Sequence, residues 1–169
     1  FYYGNSGDQP HPADYDGDGT AEAGIYRQQS GLWAIRNRTR IYYGGSSDLP
    51  EPGDYDGDGI TDIAVFRPSS GLWAVKNITR TYYGQAGDLP VPGPYSGNPA
   101  IPTIWRPSSG LWAVKDISRF YYGNSPDDPT PGDYSGSGAW TGAVWRSSSS
   151  LWAVREISRF YYGGSSDYP

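Results

Sequence analysis

The tripeptide Tyr-Tyr-Gly occurs five times, at Tyr2-Tyr3-Gly4, Tyr42-Tyr43-Gly44, Tyr82-Tyr83-Gly84, Tyr121-Tyr122-Gly123 and Tyr161-Tyr162-Gly163. A second marker, Leu-Trp-Ala, begins at Leu32, Leu72, Leu111 and Leu151. Their common spacing of about 40 residues divides the chain into repeats 1–40, 41–80, 81–119 and 120–159, and 160–169 opens a fifth copy. The third copy is one residue short, and the deletion falls within 98–102. Such a period restricts the chain to an array of similar supersecondary units, each burying its faces against its neighbours.

Each unit reads as β-structure. Tyr, Trp and Phe make up 16% of the chain, and it holds 24 Gly and 15 Pro. Aromatic side chains suit a pleated surface, while frequent Gly and Pro interrupt helices and serve turns, which excludes a helical bundle. In the second copy, residues 62–67 form an apolar, β-prone run and Pro68-Ser69-Ser70-Gly71 is a turn signal. Residues 72–77 and 79–84 supply two further strands, and the proline-rich 89–95 suits a short edge-like strand opening the next unit. Four short strands per repeat match a propeller blade. A β-solenoid is the rival, but its coils are usually shorter and lack a three-strand meander. The expectation is an all-β, β-propeller-like array of four four-stranded blades in a single repeat domain, 1–169.

If each blade begins at its proline-rich strand, the blades are 10–44, 50–84, 90–123 and 129–163, and residues 1–4 are a spare outer strand. That strand could belong to a neighbouring blade of a longer chain, be exchanged between chains, or close a ring. An open sheet edge invites pairing, so the expected working form is a self-associated assembly or part of a longer parent chain.

Of 18 acidic residues, 15 are Asp and three are Glu. Seven of those Asp fall in two loops of one pattern. Asp54, Asp56, Asp58 and Asp62 occupy loop positions one, three, five and nine, Gly59 sits at position six, and the Ile60 carbonyl is at seven. The first copy has Asp14, Asp16, Asp18, Gly19, the Thr20 carbonyl and Glu22 at the same places. Alternate carboxylates can converge on one point, and a hard cation that wants about six to eight oxygens matches the set. An Asp/Gly turn closed by side-chain hydrogen bonds is the plainer alternative, but two full copies at one phase favour two calcium sites. The corresponding positions read Pro94, Ser96, Asn98 and Asp133, Ser135, Ser137 in the other copies, so no full site is expected there.

The D-Y-D-G-D-G-I-T-D-I-A-V-F-R stretch at 54–67, followed by a hairpin and a Y-Y-G segment, resembles FG-GAP/VCBS-type repeats. These build integrin α-subunit propellers and occur in many bacterial surface and secreted proteins. The resemblance is strong over 1–80 and holds by phase over 81–169. It implies a propeller with calcium loops between the first and second strands of a blade. It also implies an extracellular or cell-surface setting, and adhesion, carbohydrate binding or scaffolding. Propellers of that family usually have about seven blades, more than the four here.

Trp33, Trp73, Trp112 and Trp152 share one register of the third strand, and Arg27, Arg67, Arg106 and Arg146 end the second. They could form a repeated glycan site, or pack one blade on the next with each guanidinium over an indole. Occurrence in every copy fits packing better. Trp105, Trp140 and Trp145, confined to the second half, could fill volume or form a local face. Asn37-Arg38-Thr39 and Asn77-Ile78-Thr79 are formal glycosylation sequons in equivalent links. His11 is the only His, there is no Cys, and the Pro-rich setting of His11 suggests a variable surface position. No residue pattern selects a catalytic group. A net charge of −5 without a basic block argues against nucleic acid, and no apolar run is long enough for membrane insertion. The sequence is best read as a non-enzymatic, calcium-stabilised extracellular module for structural assembly or adhesion. A lectin of the same architecture, binding glycan or another cell-surface ligand, or an accessory domain of a secreted enzyme, is the alternative.

Overall fold

A computed structural model describes residues 3–164 and Asp167. The chain divides into two compact units, 1–86 and 87–169, each holding two four-stranded antiparallel blades. In the first unit, β1 (Gln9–Pro10), β2 (Gly24–Arg27), β3 (Leu32–Ile35) and β4 (Thr39–Tyr42) form one blade. Its second blade is β5 (Leu49–Pro50), β6 (Ala64–Arg67), β7 (Leu72–Val75) and β8 (Thr79–Tyr82). The second unit has β9 (Leu89–Pro90), β10 (Thr103–Arg106), β11 (Leu111–Val114) and β12 (Ser118–Tyr121), then β13 (Asp128–Pro129), β14 (Ala143–Arg146), β15 (Leu151–Val154) and β16 (Ser158–Tyr161). The strands run in sequence order across every blade, and no α-helix occurs among the described residues. The all-β, four-blade expectation holds, and so does its phase, with the proline-containing strand opening each blade.

The strands are shorter than the sequence suggests. Residues 62–67 yield only Ala64–Arg67, and 89–95 only Leu89–Pro90. Proline has no N–H for a ladder, so each opening strand stops after two residues. Asp62 makes only an isolated bridge to Gly53, at the neck of the Asp-rich loop. The spare strand expected at 1–4 falls partly on Phe1 and Tyr2, which lie outside the described residues, while Tyr3 and Gly4 belong to no strand.

Register sets an aromatic row across each blade. Tyr26 pairs with Trp33 and Trp33 with Ile41, and the next blades align Phe66-Trp73-Thr81, Trp105-Trp112-Phe120 and Trp145-Trp152-Phe160. Period-2 alternation puts small residues such as Val65 and Ala74 on the opposite face. Within each unit, the large face of one blade meets the small face of the next. Tyr26, Trp33 and Ile35 pack with Ile63, Val65 and Ala74 in the first unit. Trp105 and Trp112 pack with Val144 and Ala153 in the second. Bulky rings facing small side chains let successive sheets approach closely, which is why both halves of the pattern recur.

Candidate metal centre

Between β1 and β2, and again between β5 and β6, the chain leaves the sheet as a nine-residue Asp-rich loop closed by a bridge, Ala13 to Glu22 and Gly53 to Asp62. Gly17 and Gly19, like Gly57 and Gly59, have φ between +77° and +86°, a region closed to most side chains. These reversals fold the loop around its first carboxylate. Asp14 accepts N–H bonds from Gly17 at 2.6 Å and Gly19 at 2.8 Å. Asp54 does the same with Gly57 and Gly59 at 2.6 and 3.0 Å. Asp16 accepts from Asp18 N–H and Asp18 from Thr20 N–H, matched by Asp56 from Asp58 and Asp58 from Ile60.

The outcome is two trios, Asp14-Asp16-Asp18 and Asp54-Asp56-Asp58, each bringing one oxygen per carboxylate within 4.8 Å of the others. Position nine turns inward: Glu22 accepts the Tyr15 N–H at 2.8 Å and Asp62 the Tyr55 N–H at 2.9 Å. Burial, and then the charges of Asp56, Asp58 and Asp54, push the Asp62 carboxyl above its ordinary range. Thr20 and Ile60 sit in the loop at position seven, their N–H groups held by Asp18 and Asp58. Every donor is a hard oxygen and none is sulfur or imidazole, which suits calcium or magnesium over the softer metals. Three carboxylates this close repel one another, so a cation that neutralises them stabilises the loop.

The first loop has an ion pair that the second lacks. Arg38 Nη2 lies 2.9 Å from Asp16 Oδ2. The equivalent residue in the second repeat is Ile78. The loops also touch each other: Thr61 N–H donates to the Asp14 carbonyl at 2.8 Å, and Ile60 lies against Gly17.

The second unit keeps that link and drops the carboxylates. Trp140, at the position of Thr61, donates its N–H to the Pro94 carbonyl at 3.0 Å. Its indole covers Gly93 so closely that any Cβ there would collide with the ring, and it meets Tyr95 edge-on at 6.3 Å. The Asp133 loop keeps its curl, with N–H bonds from Ser137 and Gly138, but Ser135 and Ser137 replace the other acids.

The repeated Trp and Arg are structural in their contacts. Trp33, Trp73 and Trp112 have no exposed surface, and Trp152 is half-buried. Indole N–H groups bond the carbonyls of Tyr43, Tyr83 and Tyr122. Trp105 and Trp145 take the second-strand places of Tyr26 and Phe66. Each Arg makes a two-pronged ion pair with an Asp whose side chain is buried and that the sequence reading did not single out: Arg27 with Asp8, Arg67 with Asp48, Arg106 with Asp88, and Arg146 with Asp127. The available signal was an Asp placed 19 residues before each Arg, 18 in the shortened copy. His11 corrects its expected surface position. It is half-buried beside Trp33, and its Nε2 is buried without a partner. Asn37 and Asn77 of the sequons are exposed, at φ 61° and 63° in the link before the fourth strand.

Residues 51–88, spanning the second repeat and its Asp loop, match the family model of the FG-GAP repeat. No curated protein and no solved structure matches the chain.

Proposed function

We propose that the protein is a non-catalytic, calcium-stabilised repeat module that works outside the cell in structural assembly or adhesion. The observation that carries this reading is the pair of Asp trios at one phase of successive repeats, each held open by its own backbone. Positions one, three and five supply carboxylates, position seven a carbonyl, and position nine a further carboxylate. The residues that would hold the ion are Asp14, Asp16, Asp18, Thr20 and Glu22, and Asp54, Asp56, Asp58, Ile60 and Asp62. Loops partly open to solvent suit the weak sites of extracellular modules, with dissociation constants of about 10⁻⁴–10⁻³ M. Intracellular calcium would leave such sites empty, and the extracellular level would fill them. FG-GAP repeats are generally calcium-binding and typically extracellular, which agrees. No helix among the described residues is long and apolar enough to cross a membrane.

The faces of the repeats support the assembly half of this reading. Tyr43 and Tyr122 are half-buried against the blade that follows them in their own units, whereas Tyr162 is 75% exposed. The partner that fits this face is a further repeat of the same kind, in a longer chain or a second molecule.

Calorimetric titration is expected to give two calcium ions per chain, and Asp56→Asn to remove one while the first repeat still binds. Failure to bind calcium at millimolar concentration would end this reading. The mass in solution, measured with and without calcium, tests the assembly half separately.

A further inference from the structure

Two clefts in the molecule are lined by the same nine repeat positions. The one in the first unit, of about 260 Å³, lies between its blades, with Tyr42 and Tyr43 on one side and Arg67, Leu72 and Arg80 on the other. The one in the second unit, of about 320 Å³, has Tyr121 and Tyr122 facing Arg146, Leu151 and Arg159. Neither belongs to the Asp loops.

Packing explains part of this set. Val65 and Ala74 meet the ring face of the preceding blade, and Asp48 is buried with Arg67 across both its oxygens. Packing does not explain the rim. Tyr42 is 75% and Tyr121 72% exposed, and Arg80 and Arg159 are exposed with no carboxylate paired to them among the described residues. Both are nevertheless unchanged in every repeat: Tyr at 42, 82, 121 and 161, and Arg at 40, 80, 119 and 159. Two exposed positions on the same hairpins vary, reading Asn, Asn, Asp, Glu at 37, 77, 116 and 156, and Arg, Ile, Ile, Ile at 38, 78, 117 and 157. The Tyr–Arg rim is held where solvent-exposed neighbours are not.

The chemistry of the cleft is one-sided. Asp48 has no exposed surface and its oxygens are taken by Arg67, so it offers a ligand nothing. What remains is dominated by donors, the outer edge of the Arg67 guanidinium and all of Arg80, beside tyrosine hydroxyls that can donate or accept. Asp48 neutralises Arg67 and no carboxylate among the described residues pairs with Arg80, so each cleft carries a net positive charge on a chain of net −5. An aliphatic floor of Leu72 and Ala74 and the exposed ring of Tyr42 add a surface that suits a carbon skeleton. The volume holds a sugar-sized group and no larger cofactor.

We infer that these inter-blade clefts bind acidic sugar residues, with Arg80 and Arg67 (Arg159 and Arg146 in the second unit) holding a carboxylate or sulfate and Tyr42 (Tyr121) covering the ring. Guanidinium forks match both anions, and one cleft per pair of adjacent blades suits a polymer that repeats its own charge. The inference is independent of calcium.

The test uses the whole chain and three tetrasaccharide probes by calorimetry: a glucuronate-containing one, a sulfated one and a neutral one, with inorganic sulfate alone as a fourth arm. Each is run with calcium and with chelator. The acidic probe is expected to bind in both media, more weakly as salt rises, and the neutral probe not to bind. Which acidic probe wins identifies the anion. The double variant Arg80→Gln/Arg159→Gln is expected to weaken binding tenfold or more, and Tyr42→Ala/Tyr121→Ala to weaken it severalfold, all without changing the melting temperature because these side chains are exposed. The double variant Lys76→Gln/Lys115→Gln removes the same two charges outside the clefts and is expected to change nothing. No binding of either acidic probe at millimolar concentration, binding that survives both double variants, or sulfate binding as tightly as the sugar overturns the assignment. Binding that needs calcium and ignores Arg80 and Arg159 places the sugar on the Asp loops and overturns it too.

Discussion

Positions 11, 51, 91 and 130 are equivalent in the four repeats and hold His, Glu, Val and Thr. Val91 fills the slot as a buried side chain. The other three bring polar atoms into it. His11 Nε2 and Thr130 Oγ1 are buried without partners, and burial pushes the Glu51 carboxyl up to about 8. Each should cost stability, at a different pH. The folded chain keeps the Glu51 proton between about pH 4.5 and 8 while the unfolded chain releases it, so stability falls as pH rises through that window. Burial lowers the His11 pKa from 6.5, so the unfolded chain takes up a proton the folded chain refuses, and stability falls as pH drops below that value. Glu51→Val is therefore expected to stabilise by about 1–3 kcal/mol at pH 8 and by little at pH 4. His11→Val should gain mainly below pH 6, and Thr130→Val should gain about 1 kcal/mol at any pH. Melting curves of the three variants at pH 4, 6 and 8 check the pattern. The same scale distinguishes the two Asp loops. Arg38 already partly satisfies Asp16, so a cation at the first loop must compete with it, whereas Ile78 leaves the second loop unopposed. Arg38→Ile is expected to tighten calcium at the first loop severalfold, bringing the two calorimetric affinities together.

At the scale of the element, the hairpin after the second strand turns on one left-handed residue. Gly31, Gly71 and Gly110 hold φ of 67–70°, and a Cβ at any of them would collide with the carbonyl of Gly44, Gly84 or Gly123. The fourth repeat has Ser150 there, at φ 55°, after a short 3₁₀ turn at Ser147–Ser149. Ser150→Gly is expected to stabilise the chain by about 1 kcal/mol, read as a rise in melting temperature. Hairpins like these were legible in the sequence because a turn signal lies between two short apolar runs, and the repeat displays the pattern four times. The Asp trios were legible for the same reason: their ligands lie within one loop. The limits of β6 were not, because Asp62 and Ile63 read as β-prone yet serve the loop neck and the inter-blade core. The Arg–Asp pairs were half legible. Arg67 was visible at the end of its strand, but its partner Asp48 is brought to it only when β5 folds alongside β6. His11 was misplaced because a polar residue among prolines looks exposed until the slot it fills is seen.

For the whole molecule, the two units hold equivalent loops together by different means. Both use the same backbone bond between the loops, Thr61 to Asp14 in the first unit and Trp140 to Pro94 in the second. Around that bond, the first unit gathers six carboxylates in two partly exposed trios. The second unit has one Asp, several serines, and an indole wedged over Gly93. An aromatic wedge stabilises by excluding water and is indifferent to ions. A carboxylate trio without its cation is a cluster of like charges, and its mutual repulsion weakens the loop that holds it. If the trios bind calcium, the stability of the first unit is linked to calcium concentration, and that of the second is not. Hydrogen exchange followed with excess chelator should then show new opening at 14–22 and 54–62, spreading to β2 and β6, while the loops around Pro94 and Asp133 keep their calcium-loaded rates. Thermal unfolding should move from one transition towards two, the earlier belonging to residues 1–86. Trp140→Ala should reverse the order, loosening the second unit by about 3 kcal/mol with no effect on calcium binding. Equal opening of both units under chelator, or opening of neither, would contradict this division of labour.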